Sequence, residues 1–245
     1  MLTDELLRYL FDGQSHSLVP PMAAWLGSSR RFTAFVNTFR DKIRKKLRVK
    51  QDQETLYDLR LELETAYLLL QERNLNLAYE PEQAEPGRSP DFAVTFTTSL
   101  TFMVEVTRLR RGAKGTMPIS DHGFAPGDER LADAICSKLG QLLPQRCNVL
   151  IIGVDTLLLR QQDLQNLMLR IQQRAEARDS VLWQRYGFRD RSDFIRHYQR
   201  LSEVLVRGSQ CQADHPAVVW VNPQAKHPLP SKVRTVLYRS HAIKT

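Results

Sequence analysis

Cysteine is scarce in this chain of 245 residues. There are three, Cys136, Cys147 and Cys211, spaced far apart and with no CxxC pair. An odd, scattered set argues against a disulfide framework or a thiolate zinc site and fits reduced, buried thiols. The six histidines also stand singly, so no histidine-based metal site is indicated. No apolar run approaches the roughly 20 residues of a membrane-spanning helix. The opening MLTDELLRYLFDG carries Asp4 and Glu5 and no basic stretch. It does not read as a secretory leader, and the expected location is cytoplasmic. Neither a GKS/GKT phosphate loop nor a Gly-x-Ser-x-Gly elbow occurs, which removes two common enzyme signatures. There is no internal repeat and no low-complexity tract.

What is present is a globular composition with excess positive charge. The formal net charge is +8, which favours a polyanionic partner. The stretch RRFTAFVNTFRDKIRKKLRVK, 30–50, concentrates nine Lys or Arg against one Asp. It is either a solvated helix face or a nucleic-acid surface. Its density favours the second, with Arg40, Arg44, Lys45 and Lys46 as contacts and DNA as the expected partner.

Hydrophobic spacing predicts short helices over 2–12 and 20–27, a longer one over 30–48 and a strong one over 53–73. LNLAYE, 75–80, reads as a strand, and PEQAEPGRSP as a loop. A β-hairpin follows over 90–110, then a Gly- and Pro-containing loop over 110–128 and a helix over 129–143. CNVLIIGVD, 147–155, is a near-continuous apolar run, as expected of a strand buried on both faces. Helices fill most of 157–200. LSEVLVR and AVVWV are strands, and a last helix covers 230–238. The expectation is an α/β fold with a mixed sheet flanked by helices over 51–245, preceded by a helical, basic region over 1–50.

The hairpin carries the chemistry. If the turn centres on Thr98, Phe96 faces Leu100, Val94 faces Phe102 and Phe92 faces Val104, six apolar residues on one side. The same register sets Asp91 opposite Glu105, with Cβ atoms roughly 4.5 to 5.5 Å apart. Two facing carboxylates repel. At strand ends in solvent that repulsion is screened, whereas a divalent cation would turn it into binding, since Mg²⁺ takes one or two carboxylates with water and phosphate completing its shell. Thr107, two residues past Glu105, points the same way. On the preceding helix, Glu62 flanks the apolar stripe Leu56, Leu59, Leu63, Ala66, Tyr67 and Leu70. It either reaches inward or serves as a boundary residue paired with Arg60 or Arg73. Glu64 is expected to meet solvent.

ELETA with Glu62, SPDF with Asp91 and VEVT with Glu105 together resemble the PD-(D/E)xK nuclease superfamily, the restriction-endonuclease-like fold. The resemblance extends over roughly 53–155. It implies metal-dependent phosphodiester hydrolysis with Mg²⁺ (or Mn²⁺) at Asp91 and Glu105. Glu62 would assist, and a lysine beside them would orient or deprotonate the attacking water. Thr107 stands where the family has that lysine. A hydroxyl can hydrogen-bond water or phosphate but brings no charge. Lys138, on the next helix, is the alternative cation or else an ordinary exposed lysine, and Gln141 shares its helical face. Arg108 is expected on the opposite strand face. With Arg110 and Arg111 it forms a basic segment suited to a phosphate backbone. The competing reading is a catalytically degenerate nuclease fold that binds nucleic acid or protein. Trp183, Tyr186, Phe188, Phe194 and Tyr198 are expected in the core.

Overall fold

A computed structural model describes residues 3–49, 52–81, 89–98, 100–109, 126–154, 159–177, 179–208 and 217–242. Arg110, Arg111 and most of the 110–128 loop lie outside them. The chain opens with helices α1 (Thr3–Phe11), α2 (Val19–Ser28), α3 (Arg30–Thr38), α4 (Arg40–Val49) and α5 (Gln53–Gln71). Strands β1 (Leu75–Tyr79), β2 (Phe92–Phe96) and β3 (Leu100–Arg108) follow, then α6 (Pro126–Leu139) and β4 (Asn148–Val154). Helices α7 (Gln161–Glu176), α8 (Ser180–Arg185) and α9 (Arg191–Tyr198) lead to β5 (Leu201–Gly208), β6 (Val218–Val221) and α10 (Ser231–Ser240). No helix among the described residues is long and apolar enough to cross a membrane.

Among the described residues the strands form one six-stranded mixed sheet in sequential order. β1, β2 and β3 are antiparallel, β3, β4 and β5 run parallel, and β6 returns antiparallel. The hairpin register is the one the alternation predicts, with Phe92 across from Val104, Val94 from Phe102 and Phe96 from Leu100. Every residue of β4 is buried, because helices cover both sheet faces. Val149 and Ile151 turn to the layer of α1–α5 and α10, while Leu150 and Ile152 turn to that of α6–α9. The outer edge of β6 meets a side chain instead of a strand. Gln161 accepts from the Val219 N–H at 3.1 Å and donates to the Val219 carbonyl.

The helix predicted over 30–48 is two helices, broken at Phe39, whose φ of −105° and ψ of 17° leave the helical region. Just before the break, the Thr38 hydroxyl bonds back to the Ala34 carbonyl at 2.9 Å, a contact that bends helices. Phe39 itself packs on Phe35 and Tyr79. Phe32, Phe35, Val36, Ile43 and Leu47 from α3 and α4 join the same core as α5 and the sheet.

α5 is seated on the sheet by one close contact. Gly153 lies between Arg108 and Arg207 across the parallel strands. A Cβ at Gly153 would come within 2.6 Å of Leu61 Cδ2. The two arginines flanking this contact bind acids of α5: Arg108 with Glu54 and Asp58, Arg207 with Glu64 at 3.3 Å. Glu64 therefore does not meet solvent as expected. It is 5% exposed, because α5 is covered on more than one side and a single apolar stripe understates its buried surface.

Gly153→Ala is expected to destabilise the fold by about 1–3 kcal/mol, as overpacking does. In Leu61→Ala/Gly153→Ala the two costs should fall short of additive, since Leu61→Ala removes the clash and the methyl of Gly153→Ala fills part of the space it leaves. Urea denaturation of the four proteins measures this.

Candidate functional site

The site forms where β2 begins and β3 ends, against α5 and α6. Pro90 precedes β2, a position where a missing N–H costs the ladder nothing. The Asp91 carbonyl accepts the Glu80 N–H at 2.8 Å, which ties the end of β1 to the start of β2. The β2–β3 ladder stops at Phe92. The next Val106 N–H on β3 is taken by the Asp91 carboxylate at 2.7 Å. This bond turns the side chain onto β3, beside Glu105.

Asp58, Glu62, Asp91, Thr107, Arg108 and Lys138 line one cleft of about 300 Å³. Lys138 Nζ reaches Glu105 Oε1 at 2.7 Å and Gln141 Oε1 at 3.0 Å. Gln141 is exposed. Lys138 is thus directed at the acids by an (i, i+3) neighbour and is not simply a solvated surface lysine. Glu62 is 7% exposed. Its partners are not Arg60 or Arg73: Lys46 Nζ and the Tyr79 hydroxyl both donate to its Oε2 at 2.6 Å. Arg108 is turned to the α5 face, and its guanidinium lies 5.2 Å from the centre of the Tyr57 ring.

Burial first, then the nearby charges of Glu105 and Glu62, push the Asp91 carboxyl up to about 8; the Val106 N–H and Lys46 pull the other way. Burial disfavours charge on Lys46, but Glu62 and Glu80 outweigh it and raise its pKa. Tyr79 is raised far above the ordinary phenol by burial and by Glu62, so it donates its proton and does not ionise. The site therefore crowds negative charge around one half-buried carboxyl that resists ionisation.

Among the described residues, no group of three or more His, Cys, Asp or Glu side chains is arranged to hold a metal ion. The donor chemistry on hand is the Asp91–Glu105 pair. Asp91 lines the cleft and Glu105 is held by Lys138; two carboxylates would suit Mg²⁺ or Mn²⁺ with water and phosphate completing its shell, and a bound dication would relieve the repulsion that raises Asp91.

The basic run of α3 and α4 is more internally engaged than its sequence suggests. Arg44 pairs with Asp12 and stacks over Tyr9, and Arg48 also pairs with Asp12. Arg40 lies over Tyr9 and approaches Asp41. Lys42 and Lys46 bind Glu80, and Lys46 also binds Glu62. Lys45 is exposed. A second, more open cleft of about 390 Å³ shares Thr107 and Arg108 with the first and continues past Arg130, Ser137, Arg185 and Tyr186. Arg185 there is paired with Glu129 and Asp133, whereas Arg130 is exposed. Trp183, Phe188, Phe194 and Tyr198 are buried core residues as expected, and Tyr186 is only partly buried.

Lys46, Tyr79 and Glu80 are the site residues that sequence reasoning missed or misassigned. Strand alternation from Leu75 and Leu77 would have turned Tyr79 inward. The (i, i+4) spacing of Lys42 and Lys46 would have set both on one face of α4. No family model, curated protein or solved structure matches the chain.

Asp91 gives a pH signature in metal-free buffer. Its folded-state pKa of about 8 lies above the ordinary 3.8, so the folded protein holds a proton that the unfolded chain releases. That contribution is present below about pH 4 and is lost as pH rises towards 8. Asp91→Asn, which can keep the bond to Val106, should match wild type near pH 4. It should exceed wild type by on the order of 1–3 kcal/mol, a few degrees in Tm, at pH 8. Thermal melts in chelator across this range check it.

Proposed function

We propose that this protein is a metal-dependent nuclease of the restriction-endonuclease-like superfamily, hydrolysing phosphodiester bonds in DNA. The observation that carries the reading is the ion pair with Glu105 made by Lys138, a residue of the cleft that Asp91 lines. A cation from α6 stands beside the carboxylate pair although β3 offers only Thr107. The order α5, β1, β2, β3, α6, β4 agrees with this reading, since the acids fall on the helix and the two strands where the superfamily carries them.

Asp91 and Glu105 would hold the Mg²⁺ or Mn²⁺, which when bound lowers the pKa of a water and offsets charge on the scissile phosphate. The protein's own groups do the rest. The Val106 N–H fixes the Asp91 carboxylate in rotation at the cleft that Asp91 lines. The Lys138 ammonium, held also by Gln141, is positioned to shift from Glu105 to a phosphate oxygen and stabilise charge as it develops there. Thr107 contributes a hydroxyl for hydrogen bonding to water or phosphate. Arg108 is committed to Glu54 and Asp58 and shapes the cleft floor. The second cleft continues the path of the strand, with Arg130 as its phosphate contact and the Tyr186 ring as a surface for a base.

Cleavage of single- and double-stranded DNA with Mg²⁺ or Mn²⁺ tests this. Asp91→Ala is expected to abolish cleavage. Lys138→Ala should lower kcat roughly 10²- to 10³-fold, the loss typical of one charge-stabilising donor, and Thr107→Ala only a few-fold. Equal cleavage by wild type and Asp91→Ala would overturn the assignment. Binding at low salt with no cleavage by wild type would favour the catalytically degenerate alternative, to which the missing strand lysine also points. Arg130→Ala should weaken DNA binding and reduce the slope of log affinity against log salt by about 1, measured by fluorescence anisotropy.

A further inference from the structure

Glu62 and Glu105 each meet a lysine, but the two ion pairs are built differently. Lys138 touches Glu105 and the exposed amide of Gln141. Lys46 is locked. It donates to Glu62 at 2.6 Å, approaches Glu80 at 2.5 Å and lies 4.7 Å from the centre of the Tyr79 ring. Burial is alike in the two pairs, 18% and 10% exposed for Lys46 and Glu62 against 23% and 10% for Lys138 and Glu105; the difference lies in the second carboxylate, Glu80, and the ring that hold Lys46.

The surrounding backbone reinforces the lock. One helical turn before Lys46, Lys42 Nζ donates to the carbonyls of Tyr79 and Glu80 at 3.1 and 3.0 Å. Glu80 adopts a positive φ of 42°, a conformation unfavourable for a residue with a side chain, while its N–H is bound to Asp91. α4 thus grips the turn that presents Glu80 and, through it, the start of β2. Both donors hold the same oxygen, Oε2, so for Glu62 to swing towards an ion at Asp91 it would have to break its ion pair with Lys46 and leave the buried Tyr79 hydroxyl without that acceptor. Asp91 has no such obligation, since its recorded bond is a single backbone N–H.

Building on the nuclease reading, we infer that the site takes one divalent cation, at Asp91 and Glu105, and that Lys46 is a positioning residue that withholds Glu62 from it. Glu62 then acts as a fixed negative charge near the ion, and the N-terminal helices are a wall of the site through Lys46. A second ion bridged by Glu62 is blocked by charge and by hydrogen bonding.

Calorimetric titration of the full chain with MnCl₂, with free Mn²⁺ followed by its paramagnetic resonance signal, tests this without DNA or turnover. Wild type is expected to bind one ion. Glu62→Gln should keep that stoichiometry with affinity within about 3-fold, whereas Asp91→Asn should lose about 10-fold or more. Lys46→Gln, which removes the ion pair from Glu62, should admit a second ion or tighten the first about 10-fold or more. Lys46→Arg, which retains the charge, should behave as wild type and covers the case in which Lys46→Gln fails to fold. Two ions in wild type, equal losses in Glu62→Gln and Asp91→Asn, or wild-type behaviour from folded Lys46→Gln would overturn the inference and leave the nuclease reading standing. Absence of any Mn²⁺ binding by wild type would remove both.

Discussion

Asp91 comes within the influence of the Glu105 charge because a hairpin with six apolar residues on one side has no freedom in its register. A slip of one residue would turn Phe92, Val94, Phe102 and Val104 out of the core. The hydrophobic side of the hairpin thus enforces, on the other side, an arrangement that electrostatics opposes. The fold tolerates the repulsion because burial keeps Asp91 protonated over much of the pH range and because Lys46 and Lys138 supply counter-charge from two directions. Each lysine comes from a different helical layer, so both layers are needed to hold one acidic centre.

The seat of α5 matters for the same reason. Glu62 follows directly on Leu61, and Leu61 occupies the space that a side chain at Gly153 would fill. Moving the helix outward to accommodate even one methyl group would shift Glu62 relative to Asp91. The flanking pairs of Arg108 with Asp58 and Arg207 with Glu64 resist sliding along the helix axis. A core contact and two ion pairs together determine the position of a carboxylate that none of them touches.

Much of this was legible in the sequence where short-range periodicity decides structure. The period-2 pattern of 92–104 and the apolar run of β4 prescribe register and burial directly. What escaped depends on contacts between distant segments. Glu64 reads as solvent-facing on a helical wheel because a wheel assumes one buried side, whereas α5 is covered by the sheet and by other helices. The basic run of 30–50 reads as unopposed because its acids, Asp12, Glu62 and Glu80, sit elsewhere in the chain. Lys46 looks like one of several surface cations until α4 folds back over β1. The break at Phe39, which sets the direction of α4, leaves only a threonine and an aromatic as its local trace.

The amide of Gln161 at the rim of the sheet has a bearing on life in a crowded solution. An unpaired edge strand is a template on which another chain can add its own strand. By occupying both the N–H and the carbonyl of Val219, one side chain imitates the neighbour that β6 lacks. With only four residues in β6, little free backbone is left there for pairing. A strand arriving at that border would first have to displace the Gln161 amide.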